Sequence, residues 1–229
     1  MNLASQIVDY LFSLKLELRL PKGIKVMNPY LEPAIREIVT QFYQKYYRGN
    51  QPRKIILAIN PGRLGAGATG IPFTDTKRLK DSCMIKSTIP ETHEPSSVFV
   101  YEVINAFGGP EKFYNEFFIG SVSPLGFLKK NEKGNWVNFN YYDEAGFMKL
   151  VTPFINSELH RLLSISLKRT TCICWGTGKN YTYLKNLNAE QNFFQQIIPL
   201  EHPRYIMQYK SKQKEKYIEK YLATFRSIT

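Results

Sequence analysis

The sequence predicts a three-layer α/β/α fold around a central, mainly parallel four-stranded sheet, and three observations carry that prediction. Four short apolar runs alternate with helical patterns, which is what right-handed crossovers between parallel strands require. The first run, Ile55, Ile56, Leu57 and Ile59, is branched and nearly continuous, as in a strand covered on both faces. Each run also ends in a turn-rich loop, and ligands of such sheets bind beyond the carboxyl ends of the strands.

Residues 5–18 carry Ile7, Leu11, Leu14 and Leu18 with Val8 and Phe12 beside them, at helical spacing. Residues 31–47 repeat the pattern through Ile35, Ile38, Val39 and Phe42, so two helices precede the first strand. After the strand comes a glycine-rich loop, and then Thr74-Asp75-Thr76, in which Asp75 is the natural N-cap of a short helix. Residues 96–107 read as a helix closed by Gly108-Gly109. The second strand spans 116–122, a long helical segment 143–167, the third strand 170–175, another helix 177–187, the fourth strand 194–200 and the closing helix 212–225. Residues 129–136 read as an exposed hairpin or loop.

A chain of 229 residues, 43% hydrophobic with 15 Tyr and 15 Phe, fits one α/β domain over 1–229 with a sizeable core. Thirty-one Lys and Arg against 19 Asp and Glu leave a formal charge of +12, which favours a polyanionic partner such as nucleic acid without choosing one. The three cysteines include Cys172 and Cys174 on one face of an apolar run. Two such sulfurs without a second pair of ligands do not close a tetrahedral metal site, and the usage fits a reducing compartment. No apolar run approaches the ~20 residues of a membrane helix, so the expectation is a soluble intracellular protein with no membrane partner.

Four loops converge on one rim: Asn60-Pro61-Gly62 after the first strand, residues 121–125 after the second, Trp175-Gly176-Thr177-Gly178 after the third and His202-Pro203 after the fourth. In the first loop, Gly62, Gly65, Gly67 and Gly70 let the backbone approach a flat ligand, Pro61 and Pro72 stiffen it, and Phe73 offers a ring face. That combination suits an extruded base. His202 is the one histidine of three directly beyond a strand, whereas His93 lies in a polar loop and His160 in mid-helix, where surface or packing roles suffice. Asn60 taken alone is equally a turn cap before proline.

Asn60-Pro61-Gly62 running without a gap to Thr69-Gly70-Ile71-Pro72-Phe73 resembles motif 1 of the single-strand-selective monofunctional uracil-DNA glycosylases, which reads Asn-Pro-Gly and then Thr-Gly-Val-Pro-Phe. The resemblance implies that family's fold and its hydrolysis of the N-glycosidic bond of uracil, or of a related deaminated or oxidised base, in single-stranded or mispaired DNA. It implies a monomer that leaves an abasic site and uses no cofactor or metal. It also implies that Asn60 positions the attacking water, that His202 of the His-Pro motif stabilises charge on the departing base, and that Phe73 stacks on that base. Pro61, Gly62, Gly70, Ser121 and Ser123 fall on the substrate side. Asp75, read as a cap, leaves the site without a strong general base.

Two departures qualify the resemblance. Ser121 stands where the family has an asparagine that reads the amide edge of uracil, and one hydroxyl does not span donor and acceptor as a carboxamide does, so the preferred base stays open. After His202-Pro203 the family has Ser-Pro-Arg-Asn as a wedge, whereas this chain has Arg204-Tyr205-Ile206-Met207-Gln208-Tyr209. Arg204 or Tyr205 taking the vacated place in the strand, and an apolar continuation under the last helix, are equal readings. Arg63 flanks motif 1 together with Lys77, Arg78 and Lys80, placed to hold phosphates. A nucleic-acid-binding protein that kept the fold and lost the chemistry is the alternative function.

Overall fold

The computed structural model describes residues 2–228. Helix α1 (Leu3–Phe12), strand β1 (Ile24–Met27) and helix α2 (Pro33–Tyr46) lead into β2 (Arg53–Ala58). Then follow α3 (Ala66–Thr69), α4 (Thr76–Asp81), α5 (Pro95–Phe107), α6 (Pro110–Glu116) and β3 (Phe117–Ser121). Strands β4 (Gly126–Lys130) and β5 (Trp136–Phe139) precede α7 (Ala145–Leu163) and β6 (Leu167–Trp175). The chain closes with α8 (Lys179–Gln191), β7 (Gln196–Leu200), α9 (Pro203–Tyr209) and α10 (Lys214–Ser227).

The central sheet runs β3-β2-β6-β7 with every neighbouring pair parallel, so the four strands read from the sequence are the four that form it. Strand β2 is buried along its whole length, as its branched run demands. Its two basic residues stay inside only because they are partnered: the Arg53 guanidinium donates to Tyr114 O and Asn115 Oδ1, and Lys54 Nζ lies 2.6 Å from Glu116. Successive residues of a strand point to opposite faces, and β3 shows where the helices lie. Phe118 meets Tyr43 and Tyr47 from α2, whereas its neighbour Phe117 meets Phe225 of α10. Helices therefore cover both faces, α1 packing with α2 on one side and α5 with α9 and α10 on the other.

Three differences from the sequence reading have local causes. The first helix stops at Phe12, because Ser13 turns its hydroxyl back onto Tyr10 O at 2.8 Å; Leu14 is still buried beyond the helix, but Leu18 is outside it. A second, three-stranded antiparallel sheet of order β1-β4-β5 is an addition; the segment read as an exposed hairpin or loop at 129–136 holds its β4–β5 turn, with Lys130 opposite Trp136. Strand β1 has only four residues, none fully buried, which gives almost no apolar signal. The residues after His202, read either as a stacking element or as an apolar continuation under the last helix, form the short helix α9, with Ile206 its buried anchor. Among the described residues, no helix is long and apolar enough to cross a membrane.

Candidate active site

The loops after β2, β3 and β7 enclose a cleft of about 480 Å³, within the range of small-ligand sites. Asn60, Pro61, Gly62, Phe73, Ser121 and His202 line it, with Arg204, Tyr205 and Tyr209 of α9 along one border and Asn138, Asn140 and Tyr142 of the β5 end along another. The small antiparallel sheet, of which the sequence shows only the hairpin or loop at 129–136, is what brings that second border to the rim.

Asn60 is fixed by the same segment. Its Oδ1 accepts from Tyr141 N at 3.3 Å, and its Nδ2 faces Phe139 O at 3.5 Å and Pro61 O at 3.3 Å. The carboxamide is therefore oriented before any ligand arrives, and one lone pair of Oδ1 is left over.

His202 is the N-cap of α9, and its Nδ1 accepts from the Arg204 backbone N–H at 3.1 Å. An atom that accepts carries no proton, so the neutral ring holds its proton on Nε2, which has no hydrogen-bond acceptor among the described residues and stays available to a ligand in the cleft that His202 lines. Burial first, and the Arg204 guanidinium second, depress the imidazole pKa to about 4. The residue is half-buried, one edge opening on the cleft, and at neutral pH it is an uncharged donor.

Phe73 is buried to 8% exposure, with its ring 4.9 Å from Trp175 and 5.6 Å from the His202 imidazole. Its backbone holds φ at +51°, a left-handed conformation that a bulky residue adopts only when its surroundings impose it.

Not every expected contact is in the cleft. Gly70 caps α3 at φ +74°, and a Cβ there would lie 2.5 Å from Val39 and 2.9 Å from Ile35, so its glycine serves the packing of the loop on α2. Gly70→Ala is expected to lower stability by about 3 kcal/mol, combining left-handed strain with overpacking, measured by denaturant titration. Ser123 is fully buried and donates to Leu125 O at 2.8 Å, a turn bond that keeps it out of the cleft. Arg63 is exposed beyond the lining, its N–H donating to Asn138 Oδ1 at 3.0 Å. Ser121, half-buried at the end of β3, does line the cleft.

Asp75 is the cap it was read to be: fully buried, it accepts from Arg78 N at 2.9 Å and from the Arg78 guanidinium at 3.0 Å. His93 sits 3.2 Å from that guanidinium and His160 3.1 Å from Gln191, both at the surface. The sequence reading missed a different carboxylate. Glu94, just before α5, lines the cleft, and Ser97 Oγ, at 2.7 Å, is its one hydrogen-bond donor among the described residues. Burial first raises its pKa, the Ser97 hydroxyl lowers it, the Asp75 charge raises it and Arg204 lowers it, leaving it at about 7. Among the described residues no group of His, Cys, Asp and Glu is arranged to hold a metal ion.

The family model of the uracil DNA glycosylase superfamily matches residues 44–226. The crystal structure of SMUG2 from Pedobacter heparinus superposes with a TM-score of 0.97 at 46% identity, covering 100% of this chain and 98% of that one. No curated protein matches the chain. With that match spanning the sheet, the Asn-Pro-Gly loop and the His-Pro turn, the chain belongs to the uracil-DNA glycosylase superfamily and is a SMUG-like member of it, a DNA-repair hydrolase of N-glycosyl bonds.

Proposed function

We propose that the protein flips uracil, or a related deaminated or oxidised base, out of single-stranded or mispaired DNA into this cleft, and hydrolyses its N-glycosidic bond as the first step of base excision repair inside the cell. Breaking that bond builds positive charge on the sugar and negative charge on the base. Asn60 sets the position of the attacking water. The His202 Nε2–H donates to the carbonyl oxygen on which the negative charge gathers. Phe73 supplies the face on which the extruded ring stacks.

The observation that carries this reading is that His202, its free donor fixed by the Nδ1 bond, shares one open cleft with Asn60 and Phe73. The exposed border agrees with a single-stranded partner. Tyr205 and Tyr209, 41% and 64% exposed, lie 5.5 Å apart beside Arg204, offering stacking surface and charge to the neighbouring nucleotides. Arg63 adds a phosphate contact at the opening, and the protein acts as a monomer. With Ser121 at the end of β3 in place of a carboxamide, the edge of the base is read by one hydroxyl together with backbone groups or a bridging water.

Incubation with a uracil-containing oligonucleotide, followed by heating in alkali, is expected to yield one break at the uracil, with the strand intact before heating. Binding without alkali-labile sites would instead identify a nucleic-acid-binding protein that has lost the chemistry. Release of base from free nucleosides but not from the polymer would also contradict the proposal.

A further inference from the structure

The cleft holds a polar seat beside Gly62. Apart from its own chain neighbours, a Cβ built there would meet two atoms within 4 Å, Asn138 Nδ2 and Glu94 Oε1, each at 3.6 Å. One is a donor and the other an acceptor. Asn138 is held in that orientation because its Oδ1 accepts the Arg63 N–H at 3.0 Å, and among the described residues Nδ2 has no hydrogen-bond acceptor. Glu94 is held by Ser97 on one side and by its own N–H on Asp75 Oδ2 at 2.7 Å, and the carboxyl lies so close to Gly65 that any side chain there would displace it.

We propose that this seat holds the attacking water and that Glu94 is the catalytic general base that deprotonates it. A water donating to Oε1 and accepting from Nδ2 keeps one lone pair free to attack. The oxygen then bonds to C1′ of the deoxyribose while the C1′–N1 bond breaks. The bonding pair leaves with the base, the proton passes to Glu94, and both the base anion and Glu94 re-equilibrate their protons with solvent. Asn60 acts on the same water indirectly as well, by anchoring through Phe139 and Tyr141 the strand end that carries Asn138.

The charges around Glu94 are Asp75 at the start of α4, Arg204 on α9 and, elsewhere on the cleft wall, His202 and Tyr142. Asp75 is paired with Arg78 and is not among the residues that line the cleft. Tyr142 has its pKa pushed to about 12 and His202 to about 4, so near pH 7 Glu94 is the group of this set that changes charge.

The inference rests on the glycosylase reading above, and the test separates the two. Single-turnover release of uracil from an oligonucleotide is measured from pH 5.5 to 9 for the wild type, Glu94→Gln and Gly62→Ala. The wild-type rate is expected to rise through about pH 7. Glu94→Gln, which can still accept from Ser97, is expected to lose about 10²-fold at pH 8 and to give a flat profile. It is also expected to melt higher than wild type at pH 8, because ionising a buried carboxyl opposes folding there, whereas a merely structural Glu94 would give a lower melting point. Gly62→Ala fits at ordinary contact distances and is expected to bind DNA normally but lose at least about 10-fold in rate by filling the seat. An active wild type whose profile and rate survive Glu94→Gln overturns this inference alone. A wild type that releases no base overturns the glycosylase reading and this one with it.

Discussion

Exchange of His202 for Asn is expected to slow single-turnover uracil release by about 10²–10³-fold, the loss that follows removal of one preorganised donor to a developing oxyanion. Asparagine is the informative replacement. Its short carboxamide is among the best N-caps and can take over acceptance of the Arg204 N–H, so α9 keeps its start while the donor that reaches into the cleft is lost. Alanine would remove cap and donor together, costing about a further 1 kcal/mol of stability and blurring the assignment.

The same residue sets a pH signature. Its pKa is about 4 in the fold against 6.5 for an ordinary histidine, so above pH 6.5 the ring is neutral whether the chain is folded or not, and its contribution is fully present. As pH falls from 6.5 toward 4 the unfolded chain takes up a proton that the folded one refuses, and stability drains away by up to about 3 kcal/mol, less whatever water in the cleft screens. His202→Asn is expected to flatten that part of the curve, read as melting temperature at pH 7 and pH 4.5. An unchanged slope would place the ring in solvent and undo the uncharged-donor argument.

Asn60→Ala is the second large effect, with an expected loss of about 10²-fold or more in single-turnover rate and little change in DNA affinity. Two consequences act together. The lone pair that orients water is lost, and Phe139 O and Tyr141 N lose the carboxamide that ties the β5 end to the β2 loop. Misplacement of a reacting group by about 1 Å is enough to cost 10²-fold. Asn60→Asp keeps an acceptor for Tyr141 N but loses the donor, and is expected to fall between wild type and alanine. Weakened binding with an unchanged rate of base release would move Asn60 from the chemistry to the scaffold.

The central sheet was legible because four short apolar runs alternate with helical patterns and each run ends in a turn-rich loop. His202 was legible from its place directly beyond a parallel strand, whereas Asn60, equally a turn cap when taken alone, was singled out by the resemblance of its loop. Gly70 and Ser123 were assigned to the substrate through the resemblance alone, and backbone demands explain both, a left-handed cap pressed on Val39 for one and a turn bond to Leu125 for the other. Glu94 was hidden because it sits between His93 and Pro95 in a stretch that reads as a polar loop. What makes it part of the cleft is the close approach of Gly62 and Gly65 from another segment, a tertiary event with no local signal. Asn138 was hidden with the small sheet, whose four-residue strands leave the hydrophobic pattern nearly blank.

The most direct test of the account is a crystal structure of the protein with uracil and abasic-site DNA. The expected result is a pyrimidine ring lying against Phe73 in the cleft, one carbonyl oxygen within hydrogen-bond distance of His202 Nε2, and the abasic sugar presented toward Asn60. A ring bound outside that cleft, or an imidazole turned so that Nε2 rather than Nδ1 accepts the Arg204 N–H, would contradict it.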